Sequence, residues 1–160
     1  MIITYLGLFF LYLAWEEGLV KVRPDRIHYA MAINVSVGLA FGWIVGLLSP
    51  TPDKAELLAG MKEVLDLPTW RLWLAGFEDA IFVLPLFMLR EKWRPTFMVF
   101  MAVAFATAHS YQGFVPAAAK LVFVPVVYLM AKRWGILTTM IAHSLQDVLA
   151  VALLRRVLPI

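Results

Sequence analysis

The sequence predicts an all-α integral membrane protein, with about six transmembrane helices in one bundle and one interfacial amphipathic helix. Three observations lead there. Hydrophobic residues fill 62% of the 160 positions and charged residues 16%, whereas a soluble domain is nearer about half apolar and a quarter charged. Apolar runs recur at close to the ~20 residues that a span requires. Acids and imidazoles interrupt three of those runs, and such groups are costly in hydrocarbon and so face a polar cavity or one another. Mean hydropathy is +0.82, and no repeat or low-complexity tract suggests a solenoid or a disordered chain.

The six runs lie at roughly 2–20, 29–49, 70–89, 95–112, 115–132 and 135–155, in a single domain over 1–160. The first lacks a basic n-region and a small-residue cleavage site and ends in Glu16-Glu17, which fits a retained span better than a removed signal. Between the second and third runs, Pro50, Pro52 and Pro68 bracket a helical segment. Asp53 and Glu56 offer it a capping box, and Leu57, Leu58, Met61, Val64 and Leu65 recur at helical spacing. It is expected at the membrane interface, or as a surface helix packed on the bundle. Pro85 and Pro125 predict kinks in the third and fifth runs. Gly38, Gly42 and Gly46 step along the second as a small-residue packing face within the chain; oligomeric state is left open.

A net charge of +3 could suggest a nucleic-acid partner, but the basic residues cluster at the ends of apolar runs, where they act as topology signals and headgroup anchors. Three groups, Lys21 with Arg23 and Arg26, Arg90 with Lys92 and Arg94, and Lys132 with Arg133, fall on one side if all six runs span. That side is then cytoplasmic and the N-terminus outside, with Arg155 and Arg156 pulling the other way. The expected setting is multi-pass in a lipid bilayer, the plasma membrane of a prokaryote, with no nucleic-acid partner. The chain has no cysteine, which excludes disulfides, thiolate metal sites and cysteine nucleophiles.

Candidate site residues are the ionisable groups within three runs. Glu78 and Asp79 interrupt the third, His109 ends the fourth behind Phe105, and His143 and Asp147 sit on the sixth. His143 and Asp147 are four apart and share a helix face. Glu78 and Asp79 are adjacent, about 100° apart on a helix, so one can line a cavity while the other meets a neighbouring element. A carboxylate and an imidazole together can take a proton from water, and a second imidazole can stabilise the oxyanion formed when that water attacks a carbonyl. Glu78 with His109, facing His143 with Asp147, supplies both halves.

These residues in this order resemble the CAAX-processing and bacteriocin-processing (CPBP, or Abi) family of intramembrane glutamate proteases, which includes prenyl-protein endopeptidases. The family pattern is Glu-Glu-x-x-x-Arg, then Phe-x-x-x-His, then His-x-x-x-Asn or Asp. Phe105-x-x-x-His109 and His143-x-x-x-Asp147 match the second and third motifs, and Tyr128-x-x-x-Lys132 looks like the helix between them. The resemblance covers about 70–155. It implies a metal-independent endopeptidase in which Glu78 is the catalytic glutamate and His109 its partner on the water, with His143 and Asp147 as the oxyanion and orienting pair. The implied substrate is a peptide or protein with a membrane-associated tail, lipidated or leader segment. The first motif departs: Asp79 replaces the second glutamate and Val83 the arginine, which leaves Asp79 without its expected counter-ion. Glu16-Glu17-Gly-Leu-Val-Lys21 mimics that motif but lies three runs before His109, where ion pairing at the interface is expected.

Two alternatives stand beside this. Glu78, His109, His143 and Asp147 form an N₂O₂ set that suits zinc, which would make a zinc-dependent membrane hydrolase. Histidine–carboxylate chains also relay protons or hold partners in non-catalytic membrane proteins.

Overall fold

The computed structural model describes residues 2–16, 18–48, 62 and 65–157, and these are helical throughout apart from turns and links. The helices are α1 (Ile2–Glu16), α2 (Ile27–Leu48), α3 (Thr69–Trp73), α4 (Gly76–Met88), α5 (Arg94–Ala108), α6 (Phe114–Ala119), α7 (Phe123–Trp134) and α8 (Ile136–Val157). Helix α8 packs on α2, α3, α4 and α7, while α1 lies along α4 and α5 packs on α4 and α7.

Among the described residues, two helical stretches are long and apolar enough to cross a membrane, Phe114–Trp134 and Ile136–Arg156, with mean hydropathies of 1.9 and 1.5. The six full spans expected from sequence are therefore not all seen. Helices α4 and α5 have 13 and 15 residues, about 20 and 22 Å at 1.5 Å per residue, against a hydrocarbon core of about 30 Å.

The shortening has local causes. The run at 70–89 divides between α3 and α4, where the Ser144 hydroxyl donates to the Trp73 carbonyl (2.8 Å) and accepts from the Gly76 N–H (3.1 Å). A Cβ at Gly76 would overlap the Met140 carbonyl oxygen, so this close approach of α4 to α8 needs glycine. The run at 95–112 stops being α-helical at Ala108, and Gly113 at φ 94° redirects the chain into α6. In the fifth run, Pro125 has no N–H for the Leu121 carbonyl and its ring crowds that group. Phe114–Trp134 accordingly passes through a 3₁₀ turn at Lys120–Val122.

The expected interfacial helix lies outside the described residues for Asp53, Glu56, Leu57, Leu58, Met61 and Val64. At its far end Leu65 is buried beside Leu72 and Val151. The Arg155 guanidinium donates to the carbonyls of Leu65 (2.9 and 2.6 Å) and Leu67 (2.6 Å). Arg155, which sequence leaves as a topology signal, thus fastens the segment leading into α3. Gly38 faces open space rather than a neighbouring helix, contrary to the packing stripe expected of it.

Small residues lie at several helix contacts, while many large apolar residues face outward. Ala14, Ala30, Ala80 and Ala142 are fully buried, whereas Phe9, Trp15, Leu39, Trp43, Phe100 and Leu153 are mostly exposed. Small residues let helix axes approach, and an outward apolar surface of this extent is rare on soluble monomers. Phe105, Leu84, Val124 and Val127 fill the centre under the site.

Candidate functional site

Three helices bring the acids and imidazoles together. Helix α4 begins at the Gly76 junction, so its first turn carries Glu78 and Asp79 against α8. Their divergence, expected from a 100° step, is seen: Glu78 turns towards His109 and Asp79 towards His143. His109 terminates α5 with φ −101° and ψ 9°, the sparsely populated bridge region.

The hydrogen bonds fix proton positions on both rings. A carbonyl can only accept, so Nδ1 of His109 carries the proton that it donates to the Phe105 carbonyl at 2.8 Å. The other nitrogen, Nε2, then faces Glu78 Oε2 at 3.4 Å. That distance is long for a direct bond, and it leaves both atoms able to take hydrogens from a water lying against them. In the second pair, Nδ1–H of His143 donates to Asp79 Oδ1 at 3.0 Å, deep in the core. Its Nε2 faces Asp147 Oδ2 at 3.8 Å, beyond hydrogen-bond range.

Asp79 therefore does have a partner, His143, in place of the arginine that the resemblance led us to expect. The orienting contact on His143 also comes from Asp79, while Asp147 sits across the cavity-facing nitrogen. Phe105 has a structural part: its ring stacks on Phe123 (5.0 Å) and lies 4.4 Å from His109, and Phe123 lies 4.8 Å from His143. The two aromatic rings form the wall on which both imidazoles rest.

Glu78, His109, His143 and Asp147 all line one cavity of about 390 Å³, open between α3, α4, α5 and α8. A second cavity of about 250 Å³ reaches His143 and Asp147 from the α2 side. The two share Gln112, Lys120, His143 and Asp147 as walls. Glu16 lies exposed at the end of α1 and lines neither; Glu17 is outside the described residues. Among the described residues no three His, Asp or Glu side chains meet at metal-ligand spacing; the groups are arranged as separate acid–imidazole pairs.

Sequence reasoning missed several lining residues. Lys120 holds its ammonium 5.8 Å from the Phe105 ring centre and 5.6 Å from that of Phe123, at the junction of the two cavities. Arg71 on α3 lines the larger one. Asn34 on α2 lines the smaller and is buried, yet among the described residues neither its Oδ1 nor its Nδ2 has a hydrogen-bond partner; nor does Gln146 Oε1. Buried amides without partners cost about 1–3 kcal/mol each and call for a ligand or water. A polar residue inside an apolar run was the available signal for both Asn34 and Lys120.

The site thus has a carboxylate and an imidazole 3.4 Å apart, a second imidazole held by Asp79 on the same cavity, and polar groups that can hold an amide. Set against protein-family models, curated proteins and solved structures, the chain matches none.

Proposed function

We propose that this protein is an intramembrane endopeptidase of the CPBP type, cleaving a peptide bond in a membrane-associated tail, lipidated segment or leader. The observation that carries this is the convergence of Glu78, His109, His143 and Asp147 on one cavity between the helices. The outward apolar surface and the two helices long enough to cross support a bilayer setting; about six membrane-embedded segments, some of them short, and a prokaryotic plasma membrane are part of the proposal.

In the proposed reaction, water lies against Glu78 Oε2 and His109 Nε2 and loses a proton to them as its oxygen attacks the carbonyl carbon. The oxyanion is met by Nε2–H of His143 in its doubly protonated, imidazolium form, with Nδ1–H given to the Asp79 carboxylate that holds the ring in place. The carbon–nitrogen bond then breaks as the proton passes to the leaving amine. Asn34 and Gln146 present amide groups that can pair with the substrate backbone. Glu78 to His143 is then the acid–base to oxyanion axis, with no metal required.

The test is proteolysis in nanodiscs, using membrane-tethered peptides with candidate tails and mass spectrometry of the products. Wild type is expected to cleave, and Glu78→Gln to lose about 10²–10⁴-fold in rate while remaining folded. Cleavage by Glu78→Gln at the wild-type rate contradicts the proposal. Loss of wild-type activity on chelation, restored by zinc, would favour the zinc hydrolase instead. Proton movement without proteolysis would favour the relay.

A further inference from the structure

At the opposite end of the bundle from Glu78, a cavity of about 320 Å³ is lined by Lys21, Arg23, Lys132, Arg133, Trp134 and Gly135. It joins two of the basic groups that sequence reads as separate anchors. The approach of the 21–23 segment to the α7–α8 corner is built in. Gly135 has φ +93°, and a Cβ there would overlap the Lys21 carbonyl oxygen, so the close contact needs glycine. The Arg23 N–H donates to Thr138 Oγ1 at 2.7 Å, fixing the same loop to the first turn of α8.

The charge is unbalanced. Arg23 pairs with Asp25 through two bonds of 3.2 Å, and Asp25 also meets Arg26 at 3.0 Å. The Arg23 guanidinium holds the Asp25 carboxyl below the usual carboxylate range, so that acid stays ionised beside its arginines. Among the described residues, Lys21, Lys132 and Arg133 have no acidic partner. Helix α8 also begins here, at Ile136, and directs the positive end of its dipole and its unpaired first-turn N–H groups to this end. The inner wall, Leu84 and Phe87, is apolar.

We infer that this cavity binds a phosphate group, with an apolar wall suited to the glycerol and first methylenes of an anionic phospholipid. Phosphate takes three or more donors at once, which Lys21, Lys132, Arg133 and the α8 N-terminus offer together. A basic pocket between helices at the end the positive-inside rule makes cytoplasmic is where anionic headgroups are held. The inference is independent of the proteolytic site, and its test reads no activity.

The experiment compares thermal unfolding of the full chain in phosphatidylcholine nanodiscs with and without phosphatidylglycerol, and in phosphatidylcholine with inorganic phosphate. Wild type is expected to gain stability saturably with phosphatidylglycerol. Lys132→Ala/Arg133→Ala is expected to weaken apparent affinity roughly tenfold or more, while Arg90→Ala/Lys92→Ala, with the same loss of charge, keeps it. Because the first pair could disturb folding, Lys132→Arg/Arg133→Lys is run beside it and should retain binding. A phosphate response that the first pair abolishes identifies free phosphate as a ligand; a response to lipid alone identifies the headgroup. Equal stabilisation by phosphatidylcholine, or equal loss in both alanine pairs, overturns the site.

Discussion

The two acid–imidazole pairs differ more than their chemistry suggests. Glu78 and His109 stand 3.4 Å apart, with the Glu78 side chain 25% exposed to the cavity. Asp79 and His143 bond at 3.0 Å, with the Asp79 side chain fully buried. Adjacent carboxylates on one helix turn thus sit in opposite environments, and the proposed mechanism gives them different tasks. A loose pair open to a cavity can exchange a proton with water and substrate; a tight buried pair can only hold a ring in place. Removing the first should cost activity, and removing the second should cost the fold.

That contrast is breakable in order of effect. Glu78→Gln should reduce cleavage by about 10²–10⁴-fold with a melting temperature close to wild type; a large loss of stability would erase the distinction. Asp79→Ala leaves His143 without its buried partner, and breaking such a pair costs about 3–5 kcal/mol. Thermal unfolding in nanodiscs should show it, and an Asp79→Ala protein as stable as wild type would contradict the positioning role.

The next changes sharpen the contrast by moving α4 without touching either pair. Gly76→Ala forces α4 off the Met140 carbonyl; overpacking of this kind costs about 1–3 kcal/mol. Activity should fall with it, since Glu78 lies on the displaced turn. Ser144→Ala removes both bonds at the α3–α4 junction, and leaving a buried group unpaired costs about 1–3 kcal/mol. Its effect should be the smaller, because water can reach the part-buried Trp73 carbonyl. If Ser144→Ala proves more damaging than Asp79→Ala, the junction and not the buried pair positions the site.

Much of the site could be read from the chain because its signals are local. Acids and imidazoles in apolar runs stand out whatever the fold, and His143 and Asp147 share a face by spacing alone. The 100° step between Glu78 and Asp79 even predicted that they would part company. The partner of Asp79 could not be read: it lies 64 residues away on a helix whose rotation is set by Gly76 and Ser144. Asn34 and Lys120 escaped for a similar reason, since their importance comes from which cavity they reach. Span lengths misled because hydropathy averages over breaks. The Trp73–Gly76 junction is apolar in sequence, yet tertiary hydrogen bonds interrupt the helix there, and the run counted to 112 takes in the polar turn Ser110–Gln112, which follows the end of the helix at Ala108 and leads into Gly113.

The most direct test of the central claim uses H₂¹⁸O. Wild type and Glu78→Gln, each in nanodiscs, are incubated with membrane-tethered peptides, and the new C-termini are weighed. Glu78 and His109 acting on water predict one ¹⁸O in every wild-type product and no product above background from Glu78→Gln. Labelled product from folded Glu78→Gln at the wild-type rate would show that the water is activated elsewhere.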